Sequence, residues 1–314
     1  MIVSRSTAQS GPEQSLRTWI KTMSTQDRSY KFEGGRTGVL LVHGLGGTPI
    51  EMRYVALALS RAGHTVHVPQ LAGHCVTEAE LKYSKWQDWY ATIDNELTEM
   101  RKTCDTVIVG GLSAGAVLSL HLAANRPADV QGIACYAPTV WLNGWGVPWY
   151  ARLFRLVHHK WFANLIQFTE CEPYGIKDNR LREMVIEALH SGDPSQAGMY
   201  STPGGPMLEY RWLVDIVRKQ LSSIKQPTLI LHPREDDRAD LANAFYLQRT
   251  LAGPVDMTVL EDSYHIVTID RQRDVVADRT VGFVDRVGAA LSKEASRSSF
   301  IRERATKNGN RTAA

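Results

Sequence analysis

Cysteine is scarce in this chain of 314 residues. Four thiols, Cys75, Cys104, Cys135 and Cys171, stand far apart with no C-x-x-C pair and no Cys/His spacing suited to zinc, so neither a disulfide framework nor a structural metal site organises the fold. The thiols are expected to be buried or idle. An apolar leader core is also missing: Ser, Thr, Gln and Gly follow Arg5, and the cytoplasm is the expected location. Residues 131–151 form an uncharged run of membrane-spanning length, but Pro138, Asn143, Gly144, Gly146 and Pro148 break a helix in its second half. The first half reads as a buried strand running into a loop. Charge of one sign is lacking too. The formal net charge is +3, yet residues 292–314 hold six Lys/Arg against two Glu, which leaves the rest slightly negative. No basic face remains for a nucleic acid, and none is expected as a partner.

What is present is ordinary for a soluble globular protein, with 43 % hydrophobic and 22 % charged residues. The length suits one large α/β domain with an insertion, or two small domains. From Tyr30 short apolar runs alternate with amphipathic stretches. Strands are predicted at 38–42, 65–68, 106–109 and 132–136, and helices near 50–62, 86–102 and 114–125. From 141 to about 221 the pattern changes to helices and loops with no convincing strand. Strands resume at 227–231 and 257–260, and a last amphipathic helix covers about 271–291. The expected organisation is a flexible N-terminal extension (1–29), a core (30–140 and 222–292), a helical cap insertion (141–221) and a flexible basic C-terminal tail (293–314). The core should be a mostly parallel sheet with helices on both faces.

Gly111, Leu112, Ser113, Ala114 and Gly115 form G-x-S-x-G directly between an apolar run and a helical stretch. A nucleophile elbow needs small residues around its serine because the backbone turns sharply from strand to helix, exposing the hydroxyl at the sheet's carboxyl edge. Upstream, His43, Gly44, Leu45, Gly46 and Gly47 follow the strand at 38–42, where glycines let backbone N–H groups approach a developing oxyanion. Leu45 and Ala114 are the expected donors. A phosphate-binding loop fits less well, for the Lys-Ser/Thr of a P-loop is absent. A serine also needs a histidine base, and the base a carboxylate to fix its tautomer. After the strand at 227–231 come Glu235, Asp236 and Asp237, and after that at 257–260 come Ser263, Tyr264 and His265. His265 alone among ten histidines occupies a loop beyond the last strand, while His43 and His74 read as structural. Asp236 is preferred as the acid over Asp237 and Glu235, because the acid turn usually sets its carboxylate a few residues past the strand end.

These ordered elements resemble the bacterial carboxylesterases and monoacylglycerol-lipase-like members of the α/β-hydrolase superfamily. The similarity is carried by residues 39–48, 110–115, 234–237 and 263–270 and extends from about 30 to 291, weakest in the insertion. It implies an α/β-hydrolase fold and a cytosolic or membrane-facing serine esterase. The implied roles are Ser113 as nucleophile, Asp236 as acid, His265 as base, and Leu45 and Ala114 as oxyanion donors. No cofactor and no metal is called for. A thioesterase or acyltransferase would use the same triad, and a non-catalytic ligand-binding protein could keep the fold, though an intact triad argues against it.

The insertion bears on the substrate, a small-molecule acyl ester. Trp141, Trp145, Trp149 and Trp161 are half of the eight tryptophans and cluster with Phe154 and other apolar residues. Trp145, Trp149 and Phe154 are the expected substrate contacts, in an acyl pocket for medium-length chains; the alternative is that these aromatics pack the cap onto the core. Arg152, Arg155, His158, His159 and Lys160 interleave with them, a composition that permits peripheral contact with a lipid surface. Nothing in the sequence sets an oligomeric state.

Overall fold

The computed structural model describes residues 27–190, 198 and 201–309. Residues 1–26 and 310–314, which belong to the two extensions expected to be flexible, lie outside the described residues.

Hydrophobic strand residues of the α/β pattern pair into one seven-stranded sheet, ordered β1-β3-β2-β4-β5-β8-β9. Its strands are β1 (Tyr30–Phe32), β2 (Thr37–Val42), β3 (Thr65–Val68), β4 (Thr106–Leu112), β5 (Gly132–Tyr136), β8 (Thr228–Pro233) and β9 (Val255–Leu260). Only β1, at the edge, is antiparallel to its neighbour. The side-chain period of two sorts each inner strand between two cores. Val39, Leu41, Ile108, Tyr136 and Leu231 pack against α1 (Arg53–Arg61) and the last helix, while Leu40, Val42, Val109, Ile133 and Ile230 form the other core.

That second core is covered by helices whose apolar residues fall on one stripe. After the short α2 (Glu78–Tyr83), α3 (Trp86–Met100) buries Trp89, Ile93, Leu97 and Met100, at intervals of three and four. Each such side chain contributes about 1.5–3 kcal/mol by leaving water. Behind the serine, α4 (Ala114–Asn125) is apolar on nearly every side and buried from Ala114 to Ala123.

The insertion between β5 and β8 holds a 3₁₀ helix (Trp149–Leu156), the single turn α5 (Lys160–Ala163), α6 (Asn179–His190) and α7 (Gly204–Gln220). It departs from expectation in two ways. A two-stranded antiparallel sheet of β6 (Gln167–Thr169) and β7 (Ser201–Pro203) stands where no strand was predicted. Further, Tyr210, Leu213, Val214 and Val217 of α7 lie in the main core, so the last part of the expected cap packs as core. α8 (Ala242–Thr250) precedes β9, and α9 (Arg273–Gly309) continues well past the end predicted near 291, into the stretch expected to be a tail. Among the described residues no helix is long and apolar enough to cross a membrane.

Candidate active site

The carboxyl ends of β2, β4, β5, β8 and β9 point to one edge of the sheet, and the candidate residues follow them. Ser113 sits between β4 and α4 with φ 55° and ψ −111°, a conformation that L-residues reach only under strain. The surrounding glycines make it affordable: a Cβ on Gly115 would stand 2.2 Å from Val42 O, so α4 can approach β2 only with glycine there. Ser113 N–H donates to Tyr136 O (2.9 Å), pinning the elbow to β5.

His265 and Asp236 meet as the sequence order demands. His265 Nδ1 lies 2.9 Å from both carboxylate oxygens of Asp236. An ionised carboxylate only accepts, so Nδ1 carries the proton and Nε2 of the neutral ring is left as the base. Asp236 Oδ1 also accepts from the N–H groups of Arg238 (2.8 Å) and Ala239 (2.9 Å). Burial would raise the Asp236 carboxyl, but His265, His232 and the Ala239 N–H outweigh it and hold the group below its usual range. Asp237 is a different case. Its carboxylate accepts from the backbone N–H of His265 (3.3 Å) and of Gly175 in the cap (3.1 Å), and burial raises its pKa. Arg238 reaches the cap as well, bridging to both oxygens of Glu170.

Ser113 and His265 open onto one cavity of about 740 Å³, also lined by Leu45 and Ala114. Ala114 is the first residue of its helix, so its N–H has no acceptor one turn back. The Ser113 hydroxyl lies 3.1 Å from Thr139 Oγ1, which itself donates to Ala137 O (3.2 Å); Ser113 is therefore the donor of that pair, and its hydroxyl must rotate to reach a base in the cavity.

His43 and His74 read as structural, and their environments agree. His43 Nε2 accepts from Leu71 N–H (3.1 Å), which puts its proton on Nδ1, facing Gly44 O (2.9 Å). Burial, with His74 beside it, pushes the His43 pKa down to about 3; burial pushes His74 to about 4.

Of the three expected substrate contacts, Phe154 lines the cavity and Trp145 and Trp149 do not. Trp145 donates to Glu235 O (3.1 Å) and packs its ring on Tyr264, fastening the start of the cap to the acid loop. Trp149 opens a 3₁₀ helix, whose three-residue turn gives the cavity Tyr150, Ala151, Leu153 and Phe154 and leaves position 149 outside, 75 % exposed. Sequence reasoning missed Thr139, Glu51 and the Arg238–Glu170 pair. Thr139 follows β5 at the sheet's carboxyl edge, a position that marks it in this topology; the others carry no sequence signal.

Fold and site geometry define a protein of the serine-hydrolase type. The Hydrolase_4 family (serine aminopeptidase, S33) matches residues 35–272, and the chain belongs to it. It is 29 % identical over 252 residues to a thermostable monoacylglycerol lipase of Bacillus sp. (strain H-257), covering 80 % of this chain and 91 % of that protein. A carboxylesterase of Bacillus subtilis (strain 168) is 24 % identical over 263 residues, or 83 % and 97 % of the two chains. Among solved structures, one described under two metagenome-derived lipolytic enzymes, LipS and LipT, superposes with a TM-score of 0.71 at 25 % identity, covering 82 % of this chain and 97 % of the other.

Proposed function

We propose that this carboxylic-ester hydrolase cleaves esters of medium-chain acyl groups through an acyl-enzyme formed on Ser113. The reading rests above all on His265, held from behind by the buried Asp236, opening onto the same cavity as a serine at a strained elbow. The family and the lipase and carboxylesterase relatives support the ester as substrate class.

Ser113 Oγ attacks the ester carbonyl as His265 Nε2 takes its proton. Asp236 keeps the ring in the required tautomer and stabilises the imidazolium. The N–H groups of Leu45 and Ala114 receive the oxyanion, the imidazolium protonates the departing alcohol, and water activated by His265 releases the acid. The acyl chain lies against Leu142, Val147, Phe154, Phe162 and Phe168, an apolar wall that favours chains of middle length. A cytoplasmic enzyme in peripheral contact with lipid completes the reading. The cap supports the lipid contact with exposed Trp149, Trp161 and Leu165 beside exposed Arg155, His158 and His159.

Hydrolysis of p-nitrophenyl esters from C2 to C16 tests it, with acyl-CoA thioesters alongside. Ser113→Ala should lose on the order of 10³-fold or more in kcat, and the optimum should fall between the extremes. A profile peaking at acetyl refutes the chain-length assignment; preference for thioesters moves the reading to a thioesterase.

A further inference from the structure

The oxyanion loop of residues 44–47 turns on itself, Gly47 N–H donating to Gly44 O (3.2 Å), and it rests on a carboxyl group. Glu51, on the short 3₁₀ helix Pro49–Met52, reaches back under the loop, and its Oε2 accepts the Gly44 N–H at 3.0 Å. The other oxygen lies against Gly47: a Cβ there would stand 2.1 Å from Glu51 Oε1, so the carboxyl occupies the space a side chain would need. Leu45, the loop's oxyanion donor in the reading above, is thus flanked by Gly44, bonded to this carboxyl, and Gly47, packed upon it. Glu51 also lines the cavity that holds Ser113 and His265.

We propose that Glu51 is the positioning residue of the oxyanion loop, set where a negative charge on it opposes the oxyanion it helps to place. The inference rests on the assignment of Ser113 as nucleophile and Leu45 as donor. Hydrogen bonding alone does not require an acid at this position, since the side-chain oxygen of a glutamine could accept the same N–H. The charge matters separately. Burial pushes the Glu51 carboxyl up to about 7, against the Gly44 N–H, Arg238 from the acid loop and His265 from the base loop, which lower it, while Glu170 from the cap raises it further. Below that pH the neutral acid supports the loop without opposing the tetrahedral intermediate; above it, the carboxylate keeps the loop in place but sets a like charge near the oxyanion.

Glu51→Ala and Glu51→Gln separate the two effects, with kcat, KM and the affinity of an alkylboronic acid measured from pH 5.5 to 9 and Ser113→Ala as reference. At pH 6, Glu51→Ala should lose about 10- to 100-fold in kcat, less than the 10²–10³ typical of deleting a donor outright. Its KM should change far less, and its boronate affinity should fall in parallel with kcat, as a displaced oxyanion loop requires. Glu51→Gln should recover kcat at pH 6 and exceed wild type several-fold above pH 8. Because Glu51 and His265 interact, the Gln-to-wild-type ratio is compared between its plateaus below and above the transition rather than through it. Folded Glu51→Ala with wild-type kcat and boronate affinity overturns the positioning role, and a ratio flat with pH overturns the charge effect even if the alanine variant does not fold. If Ser113→Ala is as active as wild type, it is the underlying assignment that fails.

Discussion

Asp236 and Asp237 are neighbours in sequence with unlike surroundings, and their environments separate the work each does. Asp236 bonds the imidazole, whereas Asp237 bonds the backbone that carries it and the cap's Gly175. Asp236→Asn would offer Nδ1 an amide that no longer enforces the tautomer, so kcat should fall by roughly 10⁴ with little change in stability. Asp237→Asn keeps one acceptor oxygen for two N–H groups and leaves one unsatisfied in a buried place. It should cost about 1–3 kcal/mol of stability while kcat falls far less. Ester kinetics beside urea unfolding of both variants check this, and a larger kcat loss for Asp237→Asn would exchange the assignments. Sequence alone favoured Asp236 by distance from the strand end; only the hydrogen bonds distinguish it from an adjacent residue of identical chemistry.

At the scale of elements, the elbow depends on a close crossing of α4 over β2. A Cβ on Gly115 would meet two backbone oxygens, Val42 O at 2.2 Å and His43 O at 2.6 Å, neither able to rotate away. Gly115→Ala should therefore cost about 1–3 kcal/mol by overpacking and depress kcat as the elbow shifts. Gly282→Ala in α9 is the contrasting case, its nearest contact the flexible Arg286 guanidinium at 3.7 Å, and should stabilise by about 0.5–1 kcal/mol. Urea unfolding of the two variants measures both signs. Elements of this inner kind were the legible ones: β3, α4 and β5 fall where the apolar runs placed them, because buried parallel strands and a wholly buried helix leave little choice of residue. The β4 strand runs on through Gly110 and Gly111 to Leu112, past the predicted end at 109, since pairing with β5 supplies the order that glycine propensity denies. β1, β6 and β7, three residues each, α2 of six and α8 of nine had no period long enough to read. The candidates Ser113, Asp236 and His265 were legible because each follows a strand that the sequence pattern places. Glu51 was not, because its role is set by how a loop folds back over a short helix.

For the whole molecule, the proposed contact with lipid rests on the cap's outer surface. From Trp141 to Thr169 there is no Asp or Glu, and the basic residues there are interleaved with Trp149, Leu156, Trp161 and Leu165, each at least two-thirds exposed. Lys160 is engaged with Glu209 (2.8 Å) and Ser84 O, while among the described side chains of this stretch Arg155 is turned outward, with exposed His158 and His159 beside it. Apolar rings inserting among headgroups while cations meet an anionic surface would hold the cavity's cap side toward lipid-borne substrate. Sedimentation with phosphatidylglycerol-containing vesicles should then exceed that with phosphatidylcholine alone and weaken as salt rises from 0.05 to about 0.5 M. The double substitution Trp149→Ser with Trp161→Ser removes two exposed rings that do not line the cavity. It should cut vesicle partitioning by about tenfold, or about 1.4 kcal/mol, and leave hydrolysis of a soluble p-nitrophenyl ester unchanged. Equal partitioning of the variant and wild type would remove the cap face from any role at a membrane; a matching loss on the soluble ester would mean instead that the rings support the cavity from outside.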